Sequence, residues 1–285
     1  MSIRIITDST SYIPQSIINE YDISVVSLNV AFKNESFREV DIDNNTFYKK
    51  MDGQGIPTSS QPSVQELYDA YEKIVIEKHD VVGVFLSSDM SGTYSTANMV
   101  KDMINEKYPE ANIEIIDSRS NCMQLGYAVI SAAKAAKEGK TIEEVVLAAE
   151  KNIKSSRFLF VPENLEYLKK GGRIGTAGAL IGKILSINPI LTVAEGKTTV
   201  FDKVRTKKRA IQSMIATFEE DIKNFGLGDI IVHHINCEEE ARQIAALLKE
   251  KIGLNVLIGS IGPVIGLHVG PGAIGIAYYT NEVLA

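Results

Sequence analysis

One pattern occurs three times in the first half of the chain and narrows its possible folds: a short apolar run, a loop of serine and aspartate, then a helical stretch. Ile3 to Thr7 leads into Asp8-Ser9-Thr10-Ser11, and Pro14 suits the first turn of a helix. Val81 to Leu86 is apolar without a break, as expected of a strand covered on both faces. It leads into Ser87-Ser88-Asp89-Met90-Ser91-Gly92 and a helical spacing from Thr93 to Lys107. Ile113 to Ile116 leads into Asp117-Ser118-Arg119-Ser120 and an alanine-rich helix ending near Lys137. Repeated β-loop-α units predict a parallel sheet wound with helices. Such sheets collect ligands outside the carboxyl ends of their strands, where these loops meet.

The pattern changes near residue 155. Arg157 to Val161 reads as a strand, and Glu163 to Lys170 as a helix stopped by Gly171-Gly172. Pro189 to Ala194 and Thr198 to Val204 read as two strands of a hairpin turning at Glu195-Gly196-Lys197. A helix from Lys207 to Asn224, a strand from Asp229 to Ile235, a helix to Ile252 and a strand from Asn255 to Ile261 follow. The end of the chain is a glycine-rich turn holding His268, then an apolar strand-like finish. These readings predict two α/β domains, 1–155 and 156–285, touching along a broad seam because no low-complexity linker divides them.

Composition removes several function classes. With 285 residues, 45% hydrophobic and 23% charged, the chain has the material for a full apolar core and is not intrinsically disordered. Its two cysteines, Cys122 and Cys237, are far apart and form no CxxC pair, which argues against a zinc ribbon or redox site and fits a reducing cytoplasm. Four histidines make a His-rich metal site hard to build, although carboxylate sites for Mg²⁺ stay open. A formal charge of −6 argues against nucleic acid as the main partner. No apolar run approaches the roughly 18 residues of a membrane span. Asp8 comes too early for a signal peptide. The expected location is the cytoplasm.

Nucleotide motifs fail on context. Gly270-Pro271-Gly272-Ala273-Ile274-Gly275 matches GxGxxG but does not follow a strand and open a helix. Gly178 to Lys183 has the wrong spacing for a phosphate loop and no hydroxyl after the lysine. No GxSxG elbow occurs, so a serine hydrolase would need a triad assembled from distant segments.

The hydroxyl-rich loops are the strongest feature. Ser63 suits an N-cap for a helix from Val64 to Ile76, with Glu66 completing a capping box. Ser91-Gly92-Thr93 opens another helix. Each loop can be read as a simple cap. Two such loops on one sheet rim also form an anion site, because helix N-termini present free N–H groups and a positive dipole end. A carboxylate or phosphate is the natural guest. Within the basic run Lys203 to Arg209, Arg205 shares a strand face with Lys203 and is a candidate to meet that anion.

Eight segments stand in order along the chain: Thr7-Asp8-Ser9-Thr10, Ser60-Gln61-Pro62-Ser63, Ser87-Ser88 with Ser91-Gly92-Thr93-Tyr94, Ile116-Asp117-Ser118, Leu168-Lys169-Lys170-Gly171-Gly172-Arg173-Ile174, Asn188-Pro189-Ile190, Arg205-Thr206, and His268 with Gly270 to Gly275. They carry a resemblance to the DegV family over nearly the whole length of the chain. It implies two α/β domains with one long-chain fatty acid, such as palmitate, between them. It also implies a carrier rather than an enzyme, resembling the acyl-carrying subunit of bacterial fatty acid kinase. Such a subunit presents the carboxylate to a separate ATP-dependent kinase protein and carries the acyl phosphate toward phospholipid synthesis.

The resemblance assigns the carboxylate to Ser59 and Ser91, with Thr58, Gly92 and Thr93 beside them, and Arg205 and His268 near the head group. Whether Thr58 or Ser59 makes the contact stays open. No cofactor is implied beyond the bound fatty acid, no metal, and at most transient membrane association. The candidate acyl-tunnel residues are Ile181, Ile184, Leu185, Val264 and Ile265, from apolar, small-residue stretches. A lipid carrier or sensor unconnected to a kinase, and a lipid hydrolase, are the alternatives. Roughly fourteen buried methylenes at ~0.8 kcal/mol each give about 11 kcal/mol of transfer energy. Association costs of about 4–15 kcal/mol offset most of that, so the head group must be satisfied too.

Overall fold

The computed structural model describes residues 2–181 and 187–284. From the N-terminus run β1 (Ile3–Asp8), α1 (Gln15–Tyr21), β2 (Ser24–Val26), β3 (Asn29–Ala31), β4 (Ser36–Arg38), α2 (Asn44–Gln54), β5 (Thr58–Ser60) and α3 (Val64–Ile76). There follow β6 (Asp80–Phe85), α4 (Thr93–Lys107), β7 (Ile113–Asp117), α5 (Cys122–Lys137) and α6 (Ile142–Ser155). The second half holds β8 (Ser156–Val161), α7 (Glu166–Lys170), β9 (Asn188–Ala194), β10 (Lys197–Val204), α8 (Lys207–Phe225) and β11 (Leu227–His234). It ends with α9 (Glu238–Ile252), β12 (Leu257–Ser260), α10 (Pro263–Val269) and β13 (Ile274–Thr280).

Among the described residues the strands form three sheets. The N-terminal sheet has order β2-β1-β6-β7 and is parallel throughout, as the repeated β-loop-α units predict. The C-terminal sheet is mixed, with order β10-β9-β8-β13-β11-β12, in which β11 and β12 are parallel and the other pairs antiparallel. A small antiparallel sheet, β4-β3-β5, projects from the N-terminal half. Short strands and α2 in this region carry no period-2 or strong 3.6-residue pattern, so the sequence alone does not predict them.

Alternation along the C-terminal strands decides which side chains meet the other half. Phe158 and Phe160 of β8, Leu191 and Val193 of β9, and Ile231 of β11 face the core shared with the N-terminal half. Leu159, Val161, Ile190, Ile230 and Val232 face the opposite way and pack with α8 and α9. The shared core runs from Ile5 and Val84 through α5 to Phe158 and Ala277, so the halves are joined by apolar packing. Strand β8 begins at Ser156, directly after α6 ends at Ser155.

Three local expectations are corrected. The segment holding His268 is a short helix, α10, not a glycine-rich turn. Pro263 occupies its first turn, where a missing N–H costs nothing, and Gly266 is tolerated because Tyr48 packs against it. Ser63 does cap α3 through Glu66 N–H at 3.1 Å, but the reciprocal half of the capping box is absent. The Glu66 carboxylate is taken instead by Arg38 at 2.7 Å and by the Ser27 N–H at 3.1 Å. Ser59 lies in β5 paired to Val30, ahead of the α3 cap, so only the Ser91 loop opens directly onto a helix N-terminus.

Candidate functional site

A cavity of about 320 Å³ lies between β5, the loops at the carboxyl ends of β6 and β7, and the inner face of the C-terminal sheet. Its size falls at the lower end of small-molecule sites, about 300–1,000 Å³. Strand β13, near the middle of the sheet, presents Gly275 and Ala277 beside Phe160 and Phe158 of β8, and Gly275 lines the floor with the two rings. A Cβ on Gly275 would stand 2.8 Å from the Phe160 Cβ and 3.0 Å from the Phe158 ring. The last glycine of the GxGxxG match therefore makes room for aromatic rings rather than for a nucleotide. Leu168, Val193, Ile261, Val264 and Ile265 complete much of the apolar wall.

The polar end is built from four segments. Ser59 and His268 meet there, with the Ser59 oxygen 2.9 Å from the His268 Nε2. The Ser91 oxygen accepts the Thr93 N–H at 3.3 Å and lies 2.9 Å from the Thr93 hydroxyl. Gly92, the N-cap of α4, lines the cavity and brings no side-chain cap of its own, and the Ser91 hydroxyl takes the Thr93 N–H instead. Arg173 lines the same end. Its Nε donates to the Met90 carbonyl at 3.0 Å and its Nη1 to the Gly171 carbonyl at 2.8 Å. No Asp or Glu stands among the described residues that line the cavity.

Burial decides the charge state of the histidines. His268 is held neutral at physiological pH, its pKa pushed down from 6.5 to about 4, first by desolvation and then by the Arg173 charge. Its Nδ1 is buried without a hydrogen-bond partner among the described residues. The ring packs so closely on Gly171 that a Cβ there would collide with Nδ1. His233, also on the cavity wall, is likewise held at about 4 by burial. It is fully committed: Nδ1 is 3.0 Å from the Gly259 carbonyl, and Nε2 accepts the Met123 N–H at 3.2 Å.

The loops are fixed by carboxylates behind them. Asp8, fully buried, accepts the Leu86 N–H at 2.8 Å, the Thr10 N–H at 2.9 Å and the Thr10 hydroxyl at 2.5 Å. Asp117 accepts the Arg119 N–H at 2.9 Å and the Ser88 N–H at 3.2 Å. The Ser87 hydroxyl donates to the Gly196 carbonyl at 2.8 Å, and Arg119 reaches the Glu195 carbonyl at 2.5 Å. The tip of the β9–β10 hairpin is thereby clamped onto the Ser91 loop.

The DegV family model matches residues 2–281. The chain belongs to the DegV family. A DegV domain-containing protein of Clostridium acetobutylicum is 59% identical over 99% of this chain and 99% of its own length. The crystal structure of DegV, a fatty acid binding protein from Bacillus subtilis, has a TM-score of 0.86 and 34% identity, covering 98% of this chain and 99% of that one. A fatty acid binding DegV family protein from Streptococcus agalactiae has a TM-score of 0.88 and 28% identity, covering 98% and 99% respectively. These likenesses span both halves, so the α/β architecture, with its N-terminal parallel sheet and C-terminal mixed sheet, is that of the family.

Within this DegV fold, the cavity brings together Ser59, Ser91, Gly92 and His268, with Val264 and Ile265 on the wall. Thr93 stands one step behind, bonded to Ser91. Thr58 is exposed on β5, with its hydroxyl toward the Ala31 carbonyl at 3.5 Å, and does not line the cavity. Strand alternation is the reason: Ser59 points in, so Thr58 points out. Arg205 is also corrected. It is exposed beyond the end of β10 and away from the described lining, with its carbonyl accepting from Asn188 at 3.2 Å. Ile181 is half-buried and outside the described lining; Ile184 and Leu185 lie outside the described residues. Arg173, which also lines the cavity, is not among the residues expected at the head group, although it stands inside the segment Leu168 to Ile174, directly after the Gly171-Gly172 stop.

Proposed function

We propose that this chain binds one long-chain fatty acid, with the carboxylate at the Ser59, Ser91, Gly92 and His268 end and the acyl chain along the sheet floor. The observation that carries this reading is a single cavity with hydroxyls, a neutral histidine and an arginine at one end, apolar walls beyond them, and no described acidic lining residue. The fatty acid binding named for the relatives from Bacillus subtilis and Streptococcus agalactiae supports it. An unpaired carboxylate in such a cavity would be costly, and the polar end answers that cost. With the His268 proton on Nε2 and donated to Ser59, the Ser59 hydroxyl hydrogen is free to reach a guest carboxylate. Ser91 and the α4 N–H groups add donors, and Arg173 adds charge from the rim.

We further propose that the bound acid is held for a partner: an ATP-dependent fatty acid kinase phosphorylates the carboxylate, and the acyl phosphate is carried on toward phospholipid synthesis. Arg173, exposed at the mouth, marks where a partner could reach the head group. In this reading the chain is a cytoplasmic carrier rather than an enzyme, and residues 1–155 and 156–285 act as two lobes around the ligand. Mass spectrometry of the purified, denatured chain should release a C14–C18 fatty acid in near-stoichiometric amount. Incubation with the kinase protein, ATP and Mg²⁺ should then yield acyl phosphate. Release of lipid without acyl phosphate formation would favour a carrier unconnected to a kinase.

The Ser59–His268 contact supports a second reading, because a hydroxyl beside a neutral imidazole is the start of a hydrolase site. Here the other ring nitrogen meets Gly171 rather than an orienting carboxylate. Turnover of p-nitrophenyl acyl esters that disappears in Ser59→Ala would favour this alternative.

A further inference from the structure

Glu39 lies in the arm that carries β3 to β5 and is 5% exposed. Its Oε2 accepts the Ser9 hydroxyl at 2.5 Å. Its Oε1 accepts the Tyr12 hydroxyl at 2.8 Å and the Val264 N–H at 2.8 Å. The Tyr12 oxygen in turn accepts the Ile265 N–H at 3.3 Å. Val264 and Ile265 form the first turn of α10, where backbone N–H groups have no partner within the helix. Gly262, the N-cap, supplies no side chain to take them. Glu39 and Tyr12 therefore supply from a distant segment what a capping residue supplies locally elsewhere. The fit is close: a Cβ on Gly262 would stand 2.8 Å from the Glu39 Oε1 and 2.7 Å from the Tyr12 ring.

Helix α10 has one task visible at the cavity. Val264, Ile265 and Val269 form wall, and His268, one turn beyond Val264, meets Ser59. Moving the first turn of so short a helix moves His268 with it. We propose that Glu39 is a positioning residue for the head-group end: by holding the first turn of α10 from the β3–β5 arm, it sets where His268 stands against Ser59. Its effect on ligand rests on the acid-binding reading above; its effect on α10 does not.

The experiment compares Glu39→Leu, Glu39→Gln and Tyr12→Phe by fluorescence binding of a palmitate probe and by hydrogen exchange of the α10 amides. Glu39→Leu removes both acceptor oxygens and should weaken binding about tenfold or more, while Glu39→Gln, which keeps one acceptor, should stay within about threefold. The same Leu change placed on His268→Ala should cost almost nothing further, because the residue it positions is already gone. Exchange at Val264 and Ile265 should quicken in Glu39→Leu while the central strands keep their protection. Full additivity with His268→Ala, or unchanged exchange at those two amides, overturns the proposal. Should Glu39→Leu fail to fold, Tyr12→Phe decides: a loss of affinity that vanishes on His268→Ala supports the role, and an additive loss contradicts it. A wild-type chain that takes up no palmitate would sink the acid-binding reading, and the exchange result would still judge Glu39.

Discussion

The two halves reach the same cavity by different means. The N-terminal rim is a set of loops tied down at many points: Asp8 holds Leu86 and Thr10, Asp117 holds Ser88 and Arg119, and Ser91 is bonded to Thr93. The C-terminal rim is one short helix and one turn. Its polar atoms are less settled: the His268 Nδ1 is buried without a partner, and Arg173 keeps an exposed guanidinium with two bonds to backbone carbonyls. The first rim is built mainly for shape, although its Asn121 Oδ1 is also buried without a partner among the described residues, and the second offers a guest the exposed Arg173 guanidinium, since the His268 Nδ1 packs against Gly171. A site that must accept and release an acid needs both, because unsatisfied groups bind only if something rigid aims them.

Breaking the rigid rim should produce the largest effect. Asp8→Ala orphans the Leu86 N–H and the Thr10 donors inside the core, and should cost about 2–4 kcal/mol of folding stability by chemical denaturation. An unchanged midpoint would show that the loops are held by something else. Ser91→Ala should separate shape from binding. Palmitate affinity should fall by about 1–3 kcal/mol while the unfolding midpoint hardly moves, as read by calorimetric titration and thermal melts.

Protonation sharpens the same contrast. Burial raises Glu39 from 4.5 to about 7, with Asp8, Tyr12, Tyr48 and Cys122 facing it. The folded chain therefore keeps a proton that the unfolded chain releases, so this stabilisation is complete below about 4.5 and is lost as pH rises through about 7. His233 and His268, held down at about 4, act oppositely: the unfolded chain takes up their protons below 6.5, and stability drops as pH falls from 6.5 toward 4. Glu39→Gln should hold its melting temperature better than the parent from pH 5 to 8. Parallel curves would remove Glu39 from the account. Smaller still, Arg173→Gln should weaken palmitate binding by about threefold or less, more at low salt than at high, because the guanidinium is solvated. Arg205→Ala should change binding by nothing measurable.

Much of this arrangement was legible from residues alone, for reasons that can be named. The strand-loop-helix units show because β1, β6 and β7 are apolar and each is followed by a polar loop; that predicts the parallel sheet and the rim where Ser91 stands. Ser59 and His268 are separated by 209 positions, and their meeting depends on how α10 packs beside β5, which no local period reveals. The helix itself is short, opens at a proline and contains Gly266, so its sequence reads as a turn. Arg173 follows Gly171-Gly172, which reads as a helix stop; only the fold shows that Gly171 makes room for His268 and that the next cation lies at the mouth. Strand alternation singles out Arg205, but alternation gives a face, not the distance from the end of β10 to the cavity.

The most direct test uses palmitate labelled with ¹³C at its carboxyl carbon, titrated into the protein and followed by NMR. Bound to the hydroxyl and arginine end, the carboxyl should give one slow-exchange resonance that stays ionised to a lower pH than the free acid, and Ser91→Ala and Ser59→Ala should each shift it. A bound resonance that neither substitution moves, or one that titrates as a carboxyl buried without partners, would contradict the placement of the head group.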